Sequence, residues 1–366
     1  MKKYLSLFFI LLSMACSKKN RITELKMPPV IHLTGEKVET ILPRCYETGV
    51  LVDSFLVLKE KCTDTMFYLF STNTDREIFR FGREGRGVCE FYYPFFLVNS
   101  FAYDSLIIYD SPAATLTKID LAALVESRDI AKCVNSEHLY RNLNFMYNFN
   151  KIDSAFIGTF IEKDEGLFSF CNRNNGEIKN TDYVPYYFYE KGRKDAYCHH
   201  VLVSEKDNSI IVPFKYMNLI NCYDLDGNLK VTYALDWIKE EINTQIRVDD
   251  HTTVTFYRAY ATQNYCYLLW EGCKIEDARK YPTKIVVMSW NGKLEKVYEL
   301  NNFIDFIIPD ENQKVIYGGV FNKHIREVYE KMEIAPEHEY LRETISTRCF
   351  RIKKRPRKDV FNLSDH

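Results

Sequence analysis

Asp53-Ser54-Phe55-Leu56-Val57 is the first of a set. The same arrangement, a short polar pair followed by an apolar run, returns as Asp104-Ser105-Leu106-Ile107-Ile108, Asp153-Ser154-Ala155-Phe156-Ile157 and Asn208-Ser209-Ile210-Ile211-Val212. Two degenerate copies follow, Asn264-Tyr265-Cys266-Tyr267-Leu268 and Gln313-Lys314-Val315-Ile316-Tyr317. Measured between their second residues, the copies stand 49 to 56 residues apart. Self-similarity at such a period marks a repeat architecture, and it is weighed before any local reading.

Each copy has the same neighbours. An apolar strand precedes the pair, as in Val50-Leu51-Val52 and Val201-Leu202-Val203, and a third follows, as in Met66–Ser71, Leu219–Asp224 and Lys284–Trp290. The third often ends in Asn175-Gly176, Asp226-Gly227 or Asn291-Gly292, pairs that tolerate the positive φ angles of a two-residue hairpin turn. Four antiparallel strands in about fifty residues make one propeller blade, and six blades need about 310 residues. The reading is therefore all-β: a six-bladed β-propeller over residues 29–352. Each blade buries its faces against its neighbours, and Phe and Tyr on alternating positions fill the wedges between them. The sixth copy lacks its outer strand, while Val30-Ile31-His32-Leu33 is an orphan strand at the other end. Pairing the two closes the ring and removes an exposed edge. The last blade carries an insertion, about 321–344, whose Ile325, Val328, Tyr329 and Met332 have helical spacing, so one or two helices are expected there.

Composition agrees with a globular chain. Of 366 residues, 46% are hydrophobic and 27% charged, which excludes collagen-like, disordered and disulfide-knot classes. Lys plus Arg is 49 and Asp plus Glu is 50, and that balance gives no electrostatic case for nucleic acid. The 26 Tyr and 25 Phe are accounted for by packing between blades.

The first residues are an address. Met1-Lys2-Lys3 is basic, Tyr4 to Leu12 is apolar, and Ser13-Met14-Ala15-Cys16 follows. This is a secretory signal over 1–15, shorter than an ordinary membrane span. Ala15-Cys16 resembles a bacterial lipobox, with Ser13 where Leu is usual. The resemblance implies acylation of Cys16 and a lipid-anchored protein of the bacterial cell envelope. The alternative is a plain secretory peptide with Cys16 an incidental thiol. Residues 16–28 read as a polar tether, and the basic Ser17-Lys18-Lys19-Asn20 favours a periplasmic over a surface location. Residues 353–366 are a basic tail, either solvated or touching anionic headgroups. Of the 11 cysteines, an even number remains beyond Cys16, with no C-x-x-C pair. Cys171, Cys222, Cys266 and Cys349 lie in apolar strand patterns. Mostly buried free thiols are expected, with room for one disulfide whose connectivity is not legible.

Phe81-Gly82-Arg83-Glu84-Gly85-Arg86-Gly87-Val88-Cys89-Glu90-Phe91, with Pro94 after it, resembles the F-G-x-x-G-x-G-x-G-E-F linker of NHL-like propellers. It is similar above all to the bacterial six-bladed TolB-like lipoproteins. Val88 and Cys89 stand where Pro-Gly is usual. The resemblance implies that the string joins one blade's outer strand to the next blade's inner strand, with Gly82, Gly85 and Gly87 as structural linker residues. It implies little about activity. As a phosphate cradle the string fails, because no Lys-Ser/Thr pair and no helix follow it.

No catalytic constellation is legible. There is no H-E-x-x-H and no G-x-S-x-G, and the chain gives no cofactor motif. Cys198-His199-His200 is the densest group of metal-ligand types, yet adjacent strand residues face opposite ways and two ligands are incomplete for zinc. Asp249-Asp250-His251 precedes an inner strand. By this register Tyr147, His199, His200 and His251 approach one mouth of the channel and are the candidate binding residues; the alternative is ordinary surface and turn positions. The expected function is a membrane-anchored binding or scaffolding module with an unknown protein or small-molecule ligand. The other readings are a hydrolase with a divalent metal on the axis and an accessory subunit of a lipoprotein assembly.

Overall fold

The computed structural model describes residues 22–38, 41, 45–160, 166–183, 194–237, 248–320 and 348–353. They form an all-β propeller with four-stranded antiparallel blades. The first meander runs Tyr46–Val52, Phe55–Glu60, Phe67–Ser71, Arg76–Phe81. The second runs Pro94–Phe96, Leu106–Asp110, Thr115–Ile119, Val134–His138. The third runs Met146–Lys151, Ala155–Phe160, Ser169–Asn172, Ile178–Asn180. The fourth runs Leu202–Ser204, Ser209–Pro213, Ile220–Tyr223, Leu229–Leu235.

The remaining strands do not form two separate sheets, which departs from the expectation of six. Thr253–Ala261, Tyr265–Lys274, Lys284–Ser289 and Leu294–Leu300 share one eight-stranded sheet with Val30–Lys37, Arg348–Lys353, Val315–Val320 and Phe306–Asp310. Large sheets therefore number five among the described residues. The cause is Val30–Lys37, which is long enough to serve two partners. Val30 to Leu33 pair parallel with Val297 to Leu300, and Thr34 to Lys37 pair antiparallel with Phe350 to Lys353. The four residues read as the closing strand thus lie on the neighbouring meander's outer strand, and their successors meet the last described strand.

Two further differences concern the termini and the helices. Within the stretch read as a tether, Ile22–Leu25 is a strand, paired parallel with Thr232 to Leu235. The helices described are Leu121–Ser127 and Ile130–Cys133, in the second meander, capped by the carboxylates of Asp120 and Asp129. The insertion expected at 321–344, the signal peptide with Cys16, and residues 354–366 lie outside the described residues.

The repeated polar pair is the turn between the first and second strands of a meander. Asp53 and Asn208 sit there at φ 51° and 47°, a region that Asp and Asn enter more readily than most residues. Carbonyls of the turn tie down the next hairpin: Thr72 N–H donates to Ser54 O at 2.9 Å, and Arg173 N–H to Ser154 O at 3.1 Å. At the Asn-Gly and Asp-Gly turns, Gly176, Gly227 and Gly292 all have positive φ.

Second strands such as Leu106–Asp110 and Ser209–Pro213 are buried at every position, because a blade is covered on both faces. Successive meanders share hydrophobic clusters. One joins Leu106 and Ile108 to Leu69 and Phe67, another stacks Tyr109 on Phe149 at 4.0 Å. The last sets Phe306, Ile308 and Tyr317 against Tyr46, Leu56 and Tyr68 of the first meander. Residues 306–317 therefore pack against the first meander. Each fully buried ring contributes about 1.5–3 kcal/mol.

Candidate functional site

The innermost strands run the same way. Asn148 Nδ2 donates to His199 O, Asn150 Nδ2 to Val201 O, and Asp153 N–H to Glu205, so partners advance together along neighbouring strands. Their starts define a front mouth and their ends a back mouth. Between them lies a cavity of about 680 Å³, lined from five of the innermost strands and by His200, which precedes Leu202–Ser204.

Three of these strands are irregular where they line it. Tyr46–Val52 is bulged between Tyr46 and Thr48, Met146–Lys151 between Tyr147 and Asn150, and Thr253–Ala261 on both sides of Phe256. A bulge re-aims the side chains beside it, and here the affected residues include Glu47, Tyr147 and Arg258, all in the cavity wall.

In the front half, Lys59 is buried. Its ammonium pairs with Glu47 at 2.5 Å, donates to Pro94 O at 2.7 Å, and sits 5.6 Å and 5.5 Å from the ring centres of Tyr93 and Phe95. Tyr93, Phe95 and Tyr147 make successive edge-to-face contacts at 4.9 and 5.3 Å. A disulfide, Cys45–Cys62, brackets the first two strands at this mouth. Cys89, Cys133, Cys171, Cys222 and Cys266 are free thiols and buried.

Tyr147 and His200 line the cavity; His199 and His251 do not. His199 is buried behind the wall, donating from Nδ1 to Tyr197 O at 2.6 Å, with Nε2 3.2 Å from the Thr159 hydroxyl. Burial pushes its pKa down to about 4. His200 Nε2 donates to Tyr257 O at 3.2 Å. Burial, and next the Arg258 guanidinium, press its pKa down to about 3. Both rings are neutral. His251 is exposed in its turn, 3.0 Å from Glu276, and its N–H caps Asp249.

Residues that the sequence reading missed are Glu47, Lys59, Tyr93, Phe95, Arg258 and Glu311. Arg258 carried a signal: it is the single charge in the strand Thr253–Ala261. Among the described residues its guanidinium has no hydrogen bond or ion pair, and it is half-buried. Glu311, by contrast, lies at the back mouth and is satisfied. It accepts from the Thr262 hydroxyl, from Asn264 Nδ2 at 2.7 Å and from the Tyr267 hydroxyl at 3.3 Å. The turn Ser100–Ala102 lies across the same mouth, with Phe101 reaching Trp290 at 6.0 Å and Asn99 holding Lys151 O at 2.6 Å. No group of three His, Cys, Asp or Glu is placed to hold a metal ion among the described residues.

The glycine string follows the outer strand Arg76–Phe81 and precedes the inner strand Pro94–Phe96. Glu90 folds back into it, accepting from Gly87 N–H at 2.7 Å and Arg83 Nε at 2.6 Å. Those two bonds, the glycine's first, hold its carboxyl below the usual range. A Cβ on Gly87 would meet the Glu90 carboxyl carbon at 2.8 Å, and one on Gly82, at φ 78°, would meet Phe67 at 2.6 Å. Cys89 stands at φ 57°, so the backbone keeps the left-handed turn that glycine serves in the linker the string resembles.

No family model matches the chain, and no curated protein matches it. Solved structures do. An exported protein from Bacteroides fragilis superposes with a TM-score of 0.52 over 92% of this chain and 100% of its own, at 8% identity. A member of the DUF4221 family from Bacteroides vulgatus gives 0.51 over 88% and 98%, at 9% identity. At such identity the likeness is one of fold.

Proposed function

We propose that the chain is a binding module: a propeller held at the bacterial cell envelope through an acylated Cys16, taking its ligand in the central channel. The observation that carries the binding part is the 680 Å³ cavity whose wall combines aromatic rings with a guanidinium that has no partner among the described residues. Cavities of about 300–1,000 Å³ with few convergent polar groups are the usual form of small-molecule sites. Nothing among the described residues favours the metal-hydrolase alternative.

The finer architectural reading belongs here too. Six blades, the last completed by Val30–Lys37, are supported by the clusters joining consecutive meanders around the axis and by pairing of Thr34 to Lys37 with the final strand. Kinship with TolB-like or NHL-like lipoproteins is supported by the linker geometry around Glu90. Export is in keeping with the likeness to the exported protein of Bacteroides fragilis.

Two experiments test the proposal. A Cys16→Ser chain should move from the membrane to the soluble fraction; retention in the membrane contradicts the anchor. A fragment screen by ligand-observed NMR on the full chain should give hits that vanish in Ala259→Trp, which fills the channel. Hits indifferent to that change contradict the channel as the site.

A further inference from the structure

We propose that the front half of the channel takes a small organic anion, its carboxylate or phosphate seated on Arg258 and its ring-shaped body against Tyr93, Phe95 and Tyr147. This rests on the channel being the binding site and adds the chemical class of the ligand.

Arg258 is the uncommitted charge. A guanidinium stays protonated throughout the physiological range and presents a planar fork of N–H donors that fits a carboxylate or phosphate bidentately. Leaving such a group half-buried without a partner is unfavourable, yet among the described residues Arg258 has none. Three acids line the cavity with it. Glu47 is held by Lys59, Glu311 sits at the far mouth with three donors of its own, and Asp53 is exposed in the turn that ends the strand Tyr46–Val52. His200, beside Arg258, donates its one proton to Tyr257 O, which leaves Nδ1 as an acceptor for a ligand hydroxyl. Double bulging of the strand around Phe256 sets the direction of Arg258.

The ligand's body follows from the walls. A bare inorganic anion occupies a small part of 680 Å³. Tyr93, Phe95 and Tyr147 present a stair of rings in the wall of the cavity that Arg258 also lines, and the Tyr147 hydroxyl is also without a partner among the described residues. Exposed Tyr92, Tyr93 and Phe145 stand where two innermost strands begin, so the aromatic surface continues out of the front mouth. Flat rings stack on such surfaces.

The test uses benzoate and phenyl phosphate as anionic probes, with benzyl alcohol and benzylamine as neutral and cationic counterparts, titrated by ligand-observed NMR against the full chain. Both anions should bind at least tenfold more tightly than benzyl alcohol, and the tighter anion names the headgroup. Arg258→Gln should abolish that preference while benzyl alcohol binding stays within twofold. Arg258→Lys, which keeps the charge without the fork, should retain part of it. Equal binding of all four probes, or anion binding indifferent to both variants, overturns the inference. Neutral-ring binding that is still lost in Ala259→Trp leaves the channel standing as the site. If no probe is displaced by Ala259→Trp, the inference and the channel reading fall together.

Discussion

The two mouths of the channel are built from the same strands and differ in chemistry. At the back, the acid Glu311 is saturated by Thr262, Asn264 and Tyr267, and the turn Ser100–Ala102 lies across the opening. At the front, a disulfide brackets the wall and three rings form a stair, and in the cavity behind them Arg258 has no partner among the described residues. Polar groups that have partners, Glu311 at the back and Lys59 with Glu47 at the front, contrast with one charge that has none among the described residues. Polar groups removed from water normally find partners, so a half-buried charge in a cavity wall is a place to look for a ligand.

The sharpest way to perturb the front is its bracket. Cys62→Ser reopens a link spanning 17 residues, and should lower unfolding free energy by about 3 kcal/mol, measured by chemical denaturation. If the front mouth owes its shape to this bond, benzoate binding weakens as well. Next comes the linker leading into the second meander. Gly82→Ala places a side chain at φ 78° against Phe67 and should cost about 2 kcal/mol, read from the same denaturation curves.

Acid should act through His199 and His200. Unfolded histidine takes up a proton near pH 6.5, whereas folded His199 resists until about 4 and His200 until about 3. The unfolded state therefore binds more protons between those values, and stability falls as pH drops from 6.5 toward 4. For His199 the slope is about 1.4 kcal/mol per pH unit. Denaturation at pH 7.5 and 5.0 measures it, and His199→Gln should flatten the dependence.

Smaller effects compare the two mouths directly. Glu47→Gln releases Lys59 from its counter-charge and should raise benzoate affinity by about two- to fivefold, corresponding to roughly 0.4–1 kcal/mol. Glu311→Gln, at the saturated end, should change it by less than about twofold, under roughly 0.4 kcal/mol. A larger effect of Glu311→Gln than of Glu47→Gln would remove the distinction between the ends.

Much of the scaffold was legible because its signals are local. The Asp-Ser and Asn-Ser pairs mark turns that need a tolerant backbone, and the continuous apolar runs mark strands covered on both faces. Ile22–Leu25 was not legible: it is mostly exposed and carries no alternation. Helix Leu121–Ser127 spans two turns, too short for a periodic signal to emerge. The coupling of two meanders through Val30–Lys37 depends on a strand long enough to change partners, which a repeat alignment does not reveal.

The candidate site was half legible for a related reason. Register arguments placed Tyr147 and His200 at the mouth, because a strand's start is visible in the sequence. They also placed His199 and His251 there, yet one faces inward to Thr159 and the other outward to Glu276. Arg258 was missed although it is the lone charge of its strand. Alternation assigns a face by counting residues, and bulges on both sides of Phe256 disturb that count.

The central claim is that the front half of the channel, at Arg258, is where a ligand sits. Its most direct test is a crystal of the protein soaked with 4-bromobenzoate, with the bromine located by anomalous scattering. The account predicts the carboxylate within ion-pair distance of Arg258 and the bromophenyl ring against Tyr93, Phe95 and Tyr147. Bromine found at the back mouth beside Glu311, or outside the channel, would contradict it.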